Sequence, residues 1–541
     1  MNVLWIMCDQ LRWDYLSCSG HPTLHTPNID ALAAKGVRFD RTYVQSPICG
    51  PSRMSSYTGR YCRSHGSTWN RFPLRIGEPT LGDHLRRIGV RPAIVGKTHM
   101  TPDHAGMEWL GIDPDSKIGA TVAECGFEPW ERDDGIHPNG PSNVGTDYDT
   151  YLRDLGFKGE NPWEDWANSG EDAAGNLLNG WLLKNSDKAA RIPEKHSETH
   201  YMTNRAIEFM ESAGDEPWLC HLSFIKPHWP YIVSEPYASM FGPDDVPPAI
   251  RTEEERVTDQ PVFRAFQDSR ICKTISRDEV REAIIPAYMG LIKQIDDHLG
   301  RLFEWMEQKS LMEETMIVFT SDHGDYLGDH WMGEKDLFHD QSVRVPLIVY
   351  DPRATADATR GTVSQELVES IDLAPTFVEF FGGDSLPHIL EGRDLSPLLR
   401  GKPVEWREYA ISEYDYATTE ARQIIGNAQE DARLIMICDA RWKYVHCEGF
   451  RPMLFDLKED PKELIDLGAS PDHKDVRSRM HEAIFEWTRR HHTRITVAPE
   501  RFEQDTRSEY TGVLIGFWDE DEFEAATRRT FPDRVKHLEP K

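Results

Sequence analysis

The most distinctive chemical feature of the sequence is a cysteine set among prolines and followed by an arginine, in Pro47-Ile48-Cys49-Gly50-Pro51-Ser52-Arg53. Because proline suits the first turn of a helix, Pro51 predicts that Cys49 lies at a helix N-terminus. Free backbone N–H groups at such an end attract an anion, and Arg53, one turn on, can reach the same place. An isolated cysteine before a helix is more often a buried thiol without a chemical role, so Cys49 alone does not indicate a functional site.

Two pairs of polar residues follow predicted strands and carry atoms that bind divalent cations. Asp9 and Gln10 come after one short apolar run, and Asp322 and His323 come after a later one. Because the carboxyl ends of parallel strands meet at one edge of a sheet, all four side chains can converge there. Two carboxylates, an amide oxygen and an imidazole form a mainly hard ligand set, and the imidazole shifts the preference from Ca²⁺ toward Mn²⁺. Taken singly, each is more often a turn residue or helix cap.

Basic residues that could surround an anion recur near the ends of predicted strands. They are Lys97, His99, His228 and Lys335. His228 lies in Lys226-Pro227-His228-Trp229-Pro230, directly after a predicted strand. Each residue alone would more often be solvated on the surface. Together they predict a local positive pocket, and Asn70 is a further candidate for contact with an anion or a leaving group.

These segments resemble the signature of the sulfatase family. Cys49 to Arg53, with Thr58-Gly59-Arg60 after them, match its Cys-x-Pro-x-Arg and downstream Thr-Gly-Arg. A second family block is matched by Gly89-Val90-Arg91-Pro92-Ala93-Ile94-Val95-Gly96-Lys97-Thr98-His99. The Pro-His-x-Pro core at 227–230 and the late Lys335 are also family features. The match departs at Ser56-Tyr57, where two apolar residues are usual, and at Thr98, where an aromatic residue is common.

The second member of each metal-binding pair also departs from the common sulfatase pattern. Many sulfatases have Asp-Asp early and Asp-Asn or Asp-Gln late, whereas this chain has Gln10 and His323. The Asp-Gln and Asp-His pairing is similar to that of the phosphonate monoester hydrolases, a close branch. The resemblance covers about residues 1–460 and is interrupted in the stretch from 103 to 195.

The resemblance implies a formylglycine made from Cys49 by a formylglycine-generating machinery, and one divalent metal ion, Mn²⁺ in preference to Ca²⁺. It implies the metal ligands Asp9, Gln10, Cys49, Asp322 and His323. It implies that Arg53, Lys97 and Lys335 grip the anion. It further implies that His228, with Lys335, protonates the departing alcohol, and that His99 takes a proton from the hydrated aldehyde.

The elements that must position these residues alternate between strand and helix. Apolar runs predict strands, and they lie at 3–7, 37–39, 93–95, 218–224, 316–319 and 346–350. Helical spacing predicts helices, and they lie at 27–35, 79–88, 199–210 and 277–308, the last with a break at Pro286. Strands buried on both faces and separated by helices predict an α/β fold with a large, mixed, mostly parallel sheet flanked by helices.

The domain organisation follows from changes in this pattern. We expect a catalytic domain at 1–405 that contains an aperiodic insertion of loops and short helices at about 103–195. Short strands at 434–437, 442–445 and 453–455 and a helix at 476–488 predict a smaller α+β subdomain with an antiparallel sheet at 406–494. Apolar residues in the charged tail at 495–541 favour packing on a neighbour, so a homo-oligomer is expected.

Composition narrows the class of protein. The 541 residues carry a net charge of −30, which argues against a nucleic-acid binder because that function needs a basic face. The first residues lack a basic region and no apolar run approaches the length of a bilayer span, so we expect neither a targeting segment nor a transmembrane helix. Nine cysteines without a framework spacing predict reduced thiols and a cytoplasmic protein that does not bind a membrane.

The leading interpretation is an arylsulfatase-type hydrolase of sulfate monoesters, which Lys97 and His99 favour. The alternative is a phosphonate monoester or phosphodiester hydrolase, which Gln10 and His323 favour, and one pocket can accept both small anionic esters. A third interpretation is a non-catalytic anion-binding protein on the same fold. The sequence leaves these alternatives open.

Overall fold

The computed structural model describes residues 1–135, 145–490, 495–498, 500–501 and 518–530. Two compact units are distinguished: residues 1–385 with 390–490, and residues 386–389 with 491–541. The predicted tail contact lies largely outside the described residues. The nine cysteines are free thiols. Among the described residues, no helix has both the length and the apolar character that a bilayer span requires.

The strands of the larger unit form one eight-stranded sheet, one four-stranded sheet and one hairpin. They are β1 Asn2–Asp9, β2 Val37–Tyr43, β3 Arg91–Gly96, β4 Glu128–Arg132, β5 Ser169–Glu171, β6 Leu177–Asn179, β7 Trp218–Pro227, β8 Thr315–Ser321, β9 Arg344–Tyr350, β10 Thr362–Glu369, β11 Ala410–Asp415, β12 Arg433–Cys438, β13 Trp442–Cys447 and β14 Met453–Asp456.

The α-helices range from single turns to one helix of 31 residues. They are α1 Pro27–Lys35, α2 Cys49–Thr58, α3 Cys62–His65, α4 Leu81–Arg87, α5 His104–Leu110, α6 Lys117–Val122, α7 Asp147–Asp154, α8 Glu198–Ala213, α9 Glu253–Arg256, α10 Pro261–Gln267, α11 Arg270–Ile275, α12 Asp278–Gln308, α13 Asp340–Val343, α14 Leu373–Phe380, α15 Ser396–Leu399, α16 Glu420–Ile425, α17 Lys474–Arg490 and, in the smaller unit, α18 Glu520–Thr530.

The central sheet has the order β10-β2-β9-β8-β1-β7-β3-β4. All its neighbours pair in parallel except β9, which is antiparallel to both β2 and β8. This mixed, mostly parallel sheet with helices on both faces confirms the predicted fold class. The four strands β11 to β14 form a separate antiparallel sheet in the C-terminal part of the same unit.

Strand β1 lies in the middle of the central sheet, and its apolar sequence matches that position. Its residues are buried on both faces: Leu4 and Ile6 pack with α8 and α12, whereas Trp5 and Met7 pack with α2 and α14. A strand covered on both sides has no polar alternation, which is why it reads as a continuous apolar run. Asp9, the last residue of β1, is therefore held at the end of a fully buried central strand.

The predicted break in the long helix is wrong. α12 continues through Pro286 from Asp278 to Gln308. A proline in a helix interior removes one N–H donor and leaves the carbonyl four residues earlier without its partner. Here that carbonyl belongs to Glu282, an exposed residue, so water can satisfy it while the apolar face of α12 stays packed.

The stretch at 103–195 contains short helices and loops, and it also supplies strand β4 to the edge of the central sheet. β4 reads Glu-Pro-Trp-Glu-Arg and is only partly buried, so it lacks the apolar run that revealed the inner strands. The sequence did not predict this strand. It pairs in parallel with β3, which carries Lys97 just beyond its end.

Candidate active site

Two parallel strands bring the first residues of the site together. β1 ends at Asp9, and the adjacent strand β8 ends at Ser321, directly before Asp322 and His323. His323 Nε2 lies 3.6 Å from Asp9 Oδ1 and 3.8 Å from Asp322 Oδ1. The two pairs predicted from the sequence therefore meet at one edge of the sheet.

Helix α2 adds Cys49, its first residue, to this group. Cys49 Sγ lies 3.0 Å from His323 Nε2 and 3.8 Å from Asp9 Oδ1. The first turn is anchored because the Gly50 N–H donates to Asn70 Oδ1 at 2.8 Å. A Cβ at Gly50 would stand 2.7 Å from the same Asn70 oxygen, so glycine permits this close approach. Asn70 thus lies beside the helix N-terminus and Cys49.

The donor set fits a divalent cation. Ligand atoms of Asp9, Cys49, Asp322 and His323 all lie within 4.8 Å of one another, and all four residues are buried. His323 Nδ1 lies 2.8 Å from the carbonyl oxygen of Gly324, so that nitrogen carries the proton and Nε2 is left to face the cluster. Within the described part of the chain, the buried Gln10 Oε1 has no hydrogen-bond partner. An unsatisfied buried oxygen beside carboxylates is what an additional metal ligand would present.

Gln10 is held by residues that the sequence analysis left out. Its backbone is left-handed, with φ of 65°. Its Nε2 donates to Asp325 Oδ2, and Asp325 Oδ2 also accepts from the Tyr231 hydroxyl at 2.5 Å. Fixing the amide nitrogen on Asp325 turns Oε1 the other way. Asp325, which the spacing gave no reason to include, is therefore a positioning residue for Gln10.

Arg53 forms ion pairs with the carboxylates of Asp9 and Asp322. Its side chain is fully buried, with Nε 2.7 Å from Asp322 Oδ2 and an Nη 3.3 Å from Asp9 Oδ2. Its other Nη donates to Ser223 Oγ at 2.7 Å and to the Lys97 carbonyl at 2.8 Å. The expected direct grip of Arg53 on an anionic ester is not what these contacts provide. Arg53 instead offsets the repulsion between two buried carboxylates.

Two lysines and a histidine complete the buried part of the site. Lys97 forms an ion pair with Asp9. Lys335 Nζ lies 3.0 Å from Cys49 Sγ and 3.5 Å from His228 Nε2. His228 Nδ1 lies 2.8 Å from the carbonyl oxygen of Trp229, which leaves Nε2 toward Lys335. The neighbouring Lys226 lies elsewhere, because its Nζ donates to Asn168 Oδ1 and to the Pro230 carbonyl.

The charges of this group act strongly on one another. Burial by itself would raise the pKa of the Cys49 thiol, but Lys335, His323 and Lys97 outweigh burial and hold that pKa well below its usual range. Burial lowers the pKa of His228 to about 4 against the opposing effect of Asp9. Burial also opposes the charge of Lys335, whose pKa is nevertheless raised by Cys49, Glu334 and Asp9. The site can therefore hold negative charge at residue 49 inside an acidic protein.

His99 occupies a different position from the other predicted residues. Its backbone N–H donates to Asp134 Oδ1 at 2.9 Å, and its φ of 55° is left-handed. None of the hydrogen bonds found among the described residues joins its ring to Cys49 or to the metal-binding group, and its Nδ1 has no partner there. His99 follows Lys97 by two residues and lies beyond the same strand end.

The C-terminal antiparallel sheet supports two segments of the site. Thr68 Oγ1 donates to Asp415 Oδ2 at 3.0 Å, two residues before Asn70. The Tyr414 hydroxyl donates to Asp336 Oδ1 at 2.5 Å, next to Lys335. Both contacts come from strand β11, so the C-terminal sheet helps position residues on both sides of Cys49.

Comparison with known proteins adds independent information. The sulfatase family model matches residues 1–383, and a model for the C-terminal part of N-sulphoglucosamine sulphohydrolase matches residues 328–490. The multifunctional alkaline phosphatase superfamily protein PehA of Trinickia caryophylli is 32% identical over 87% of this chain and 91% of its own. An arylsulfatase of Clostridium perfringens is 26% identical over 88% of this chain and 91% of its own. The structure of a phosphonate monoester hydrolase from Silicibacter pomeroyi superposes with a TM-score of 0.79, with 26% identity over 92% of this chain and 96% of that one.

Proposed function

The chain belongs to the sulfatase family of hydrolases, and from this starting point we propose that it hydrolyses sulfate monoesters of the aryl type with residue 49 as nucleophile. The observation that carries the proposal is the convergence of Asp9, Cys49, Asp322 and His323, from three separate segments, with Lys335 directly beside the Cys49 sulfur. A non-catalytic anion-binding protein would not need a nucleophile, a cation site and the Lys335–His228 pair in one buried group.

We propose that Cys49 is converted to formylglycine, which would supply the hydroxyl of a hydrated aldehyde as the attacking group. Lys335 Nζ and the N-terminus of α2 then face negative charge at this position. The contact of Lys335 Nζ with the sulfur supports this role, because an oxygen attached to residue 49 would lie beside the same ammonium group.

The proposed metal is Mn²⁺ rather than Ca²⁺, because one of the ligands is a histidine nitrogen. When bound, it would supply positive charge that offsets the anionic oxygens of the ester. Asp9, Gln10, Asp322, His323 and residue 49 would hold it. Arg53 pairs with both carboxylates and Lys97 pairs with Asp9, which holds the two carboxylates in place and offsets their repulsion.

In the proposed reaction, Lys335 and His228 donate a proton and His99 accepts one. Lys335 holds a proton at Nζ, and His228 Nε2 is close enough to share in delivering it to the departing alcohol oxygen. His99 is proposed as the base that takes a proton from residue 49 after the alcohol has left. Its unpartnered Nδ1 is available for that task.

The second candidate is hydrolysis of phosphonate monoesters or phosphodiesters by the same site. Gln10 and His323 favour it, as does the similarity to a phosphonate monoester hydrolase and to a protein named as multifunctional. Sulfate and phosphonate monoesters are both tetrahedral monoanions, so the same positive group suits both. Lys97 and His99 weigh toward the sulfate ester.

Three measurements test these proposals together. Rates on an aryl sulfate and an aryl phosphonate monoester, compared at equal enzyme concentration, rank the two activities. The mass of the peptide containing residue 49 reports whether the thiol has been converted. Cys49→Ala should abolish turnover while the fold persists, and Cys49→Ser should leave at most a slow enzyme because a serine ester cannot eliminate its sulfate as a hydrated aldehyde can. Robust turnover by Cys49→Ala would refute the assignment of the nucleophile.

A further inference from the structure

A second group of metal-binding side chains lies outside the active site, and we call Glu194, His200 and His298 the 194/200/298 cluster. Glu194 begins a short 3₁₀ turn at the end of the insertion, His200 lies in the first turn of α8, and His298 lies on α12. One ligand atom of each lies within 4.8 Å of the other two. Residues from three elements thus meet at one point.

The geometry of the cluster is that of a site partly open to solvent. His298 Nε2 lies 2.6 Å from Glu194 Oε1, and His200 Nδ1 lies 3.9 Å from the same oxygen. The side chain of His298 is 7% exposed, whereas those of His200 and Glu194 are 21% and 28% exposed. An ion can therefore reach the cluster from one side, and the three residues leave a further position for water.

The unpaired atoms of the cluster point to a missing ligand. In the part of the chain that the structure describes, the buried His200 Nδ1 and His298 Nδ1 have no hydrogen-bond partner. His200 Nδ1 is the atom that faces Glu194, so its lone pair or proton is directed into the cluster without a partner at bonding distance. Buried polar atoms are nearly always paired, and an unpaired one aimed into a cluster of donors is consistent with an ion not represented there.

A positively charged side chain also lies beside the cluster. The nearby Arg301 opposes a cation, but its guanidinium donates to Asn204 Oδ1 and to the His200 carbonyl, which directs it along α8.

We propose that Glu194, His200 and His298 form a second metal site, which binds a divalent transition-metal ion such as Zn²⁺ and ties the end of the insertion to α8 and α12. Two imidazole nitrogens and one carboxylate oxygen with an open fourth position are a known ligand set for Zn²⁺. Ligand distances of about 2.0–2.2 Å require Glu194 to move back from His298, and its position on an exposed turn allows this.

The site differs from the catalytic one in its ligands and in its expected metal. It has no acidic pair and no sulfur, and the proposal does not depend on the proposed function. Zinc can also enter the catalytic group, so the test must separate the two sites. Asp322→Asn removes a ligand from the catalytic group, and His200→Gln removes one from the 194/200/298 cluster.

The experiment measures zinc bound to the full-length protein by elemental analysis after dialysis, and by isothermal titration with Zn²⁺. In the Asp322→Asn background we expect one equivalent of zinc to remain, and Asp322→Asn/His200→Gln should bind at least tenfold more weakly. His298→Gln should behave like His200→Gln. His200 is the milder change because its ring has no hydrogen bond to lose at Nδ1, so it keeps the test valid if His298→Gln fails to fold.

A surface histidine of another pair provides the matched control. The His446 ring meets that of His481 edge to face with centroids 5.4 Å apart, and its Nε2 lies 3.3 Å from Glu448 Oε2, but these residues do not converge as three ligands. His446→Gln in the Asp322→Asn background should keep the full zinc equivalent. Equal zinc affinity in the His200→Gln and His446→Gln proteins, or no zinc bound by Asp322→Asn alone, would overturn the proposal.

Discussion

Replacing Asp325 by asparagine should weaken the catalytic metal site without touching any of its predicted ligands. Asp325 Oδ2 accepts from Gln10 Nε2 and from Tyr231, whereas Oδ1 accepts from the Leu327 N–H at 2.9 Å. In the variant, the Leu327 N–H still needs an acceptor, so the oxygen of the new asparagine should take the place of Oδ1. Its amide nitrogen then takes the place of Oδ2 and faces Gln10 Nε2, and two N–H donors cannot form a hydrogen bond with each other.

The expected response is a flip of the Gln10 amide. In the flipped state, Oε1 accepts from the new asparagine nitrogen and Nε2 faces the cation position, so one of the five proposed ligands is lost. Loss of a group that orients a metal ligand typically costs about 10- to 100-fold in metal affinity. That range corresponds to about 1.4–2.7 kcal/mol of binding free energy.

The assay is titration of the metal-free Asp325→Asn protein with Mn²⁺ by calorimetry, followed by the Mn²⁺ dependence of the hydrolytic rate. Asp329→Asn is the control, because Asp329 is an equally buried carboxylate on the same loop that pairs with Arg12 at 2.7 Å. We expect Asp329→Asn to keep the wild-type Mn²⁺ affinity. Unchanged Mn²⁺ affinity in Asp325→Asn would refute the positioning role of Asp325 and weaken the case for Gln10 as a ligand.

Two further predictions concern the support of the site. Lys443 is fully buried and pairs with Asp340 and Glu463 at 2.6 and 2.7 Å, so Lys443→Ala should lower the free energy of unfolding in urea by about 3–5 kcal/mol. Arg441→Ala removes an arginine that is 46% exposed from its pair with Asp456 and should lower this free energy far less. Similar losses in the two variants would contradict the reasoning. Gly50→Ala should push Asn70 away from the helix N-terminus and reduce kcat about tenfold or more, because small misplacements at a reacting group are costly. Gly242→Ala, where the structure shows open space, is the control in the same kinetic assay, and equal kcat values for the two variants would contradict this account.

The inner half of the fold was predictable from sequence because burial leaves a simple pattern. β1, β7 and β8 were found within a few residues of their bounds, since strands covered on both faces are continuous apolar runs. The edge strands β4 and β10 were missed, because one or both faces meet solvent and their sequences are polar. A continuous apolar run therefore identifies strands in the buried middle of the sheet but not strands at its edges.

The candidate site divides in the same way. Asp9 and Asp322 were predicted to meet because both end apolar strands, and the parallel pairing of β1 with β8 brings them together. Asp325 was missed because its role depends on which way the Gln10 amide points, and no spacing encodes that. The 194/200/298 cluster was missed because His298 follows Glu194 by 104 residues, and the sequence does not give the packing of α12 against α8 that brings them together.

The burial of Cys49 limits when the thiol could be converted to the formylglycine that we propose. The residue has no exposed surface, and one of the groups that cover it, His323, lies 274 positions later in the chain. An oxidising enzyme must reach the thiol, so under the proposed function it must act before the folded protein buries Cys49. At about 5–20 residues per second, a ribosome takes roughly 15–55 s to synthesise the intervening chain. Under the proposed function, the yield of active enzyme therefore depends on two competing rates on the nascent polypeptide: the oxidation of residue 49 and the folding that buries it.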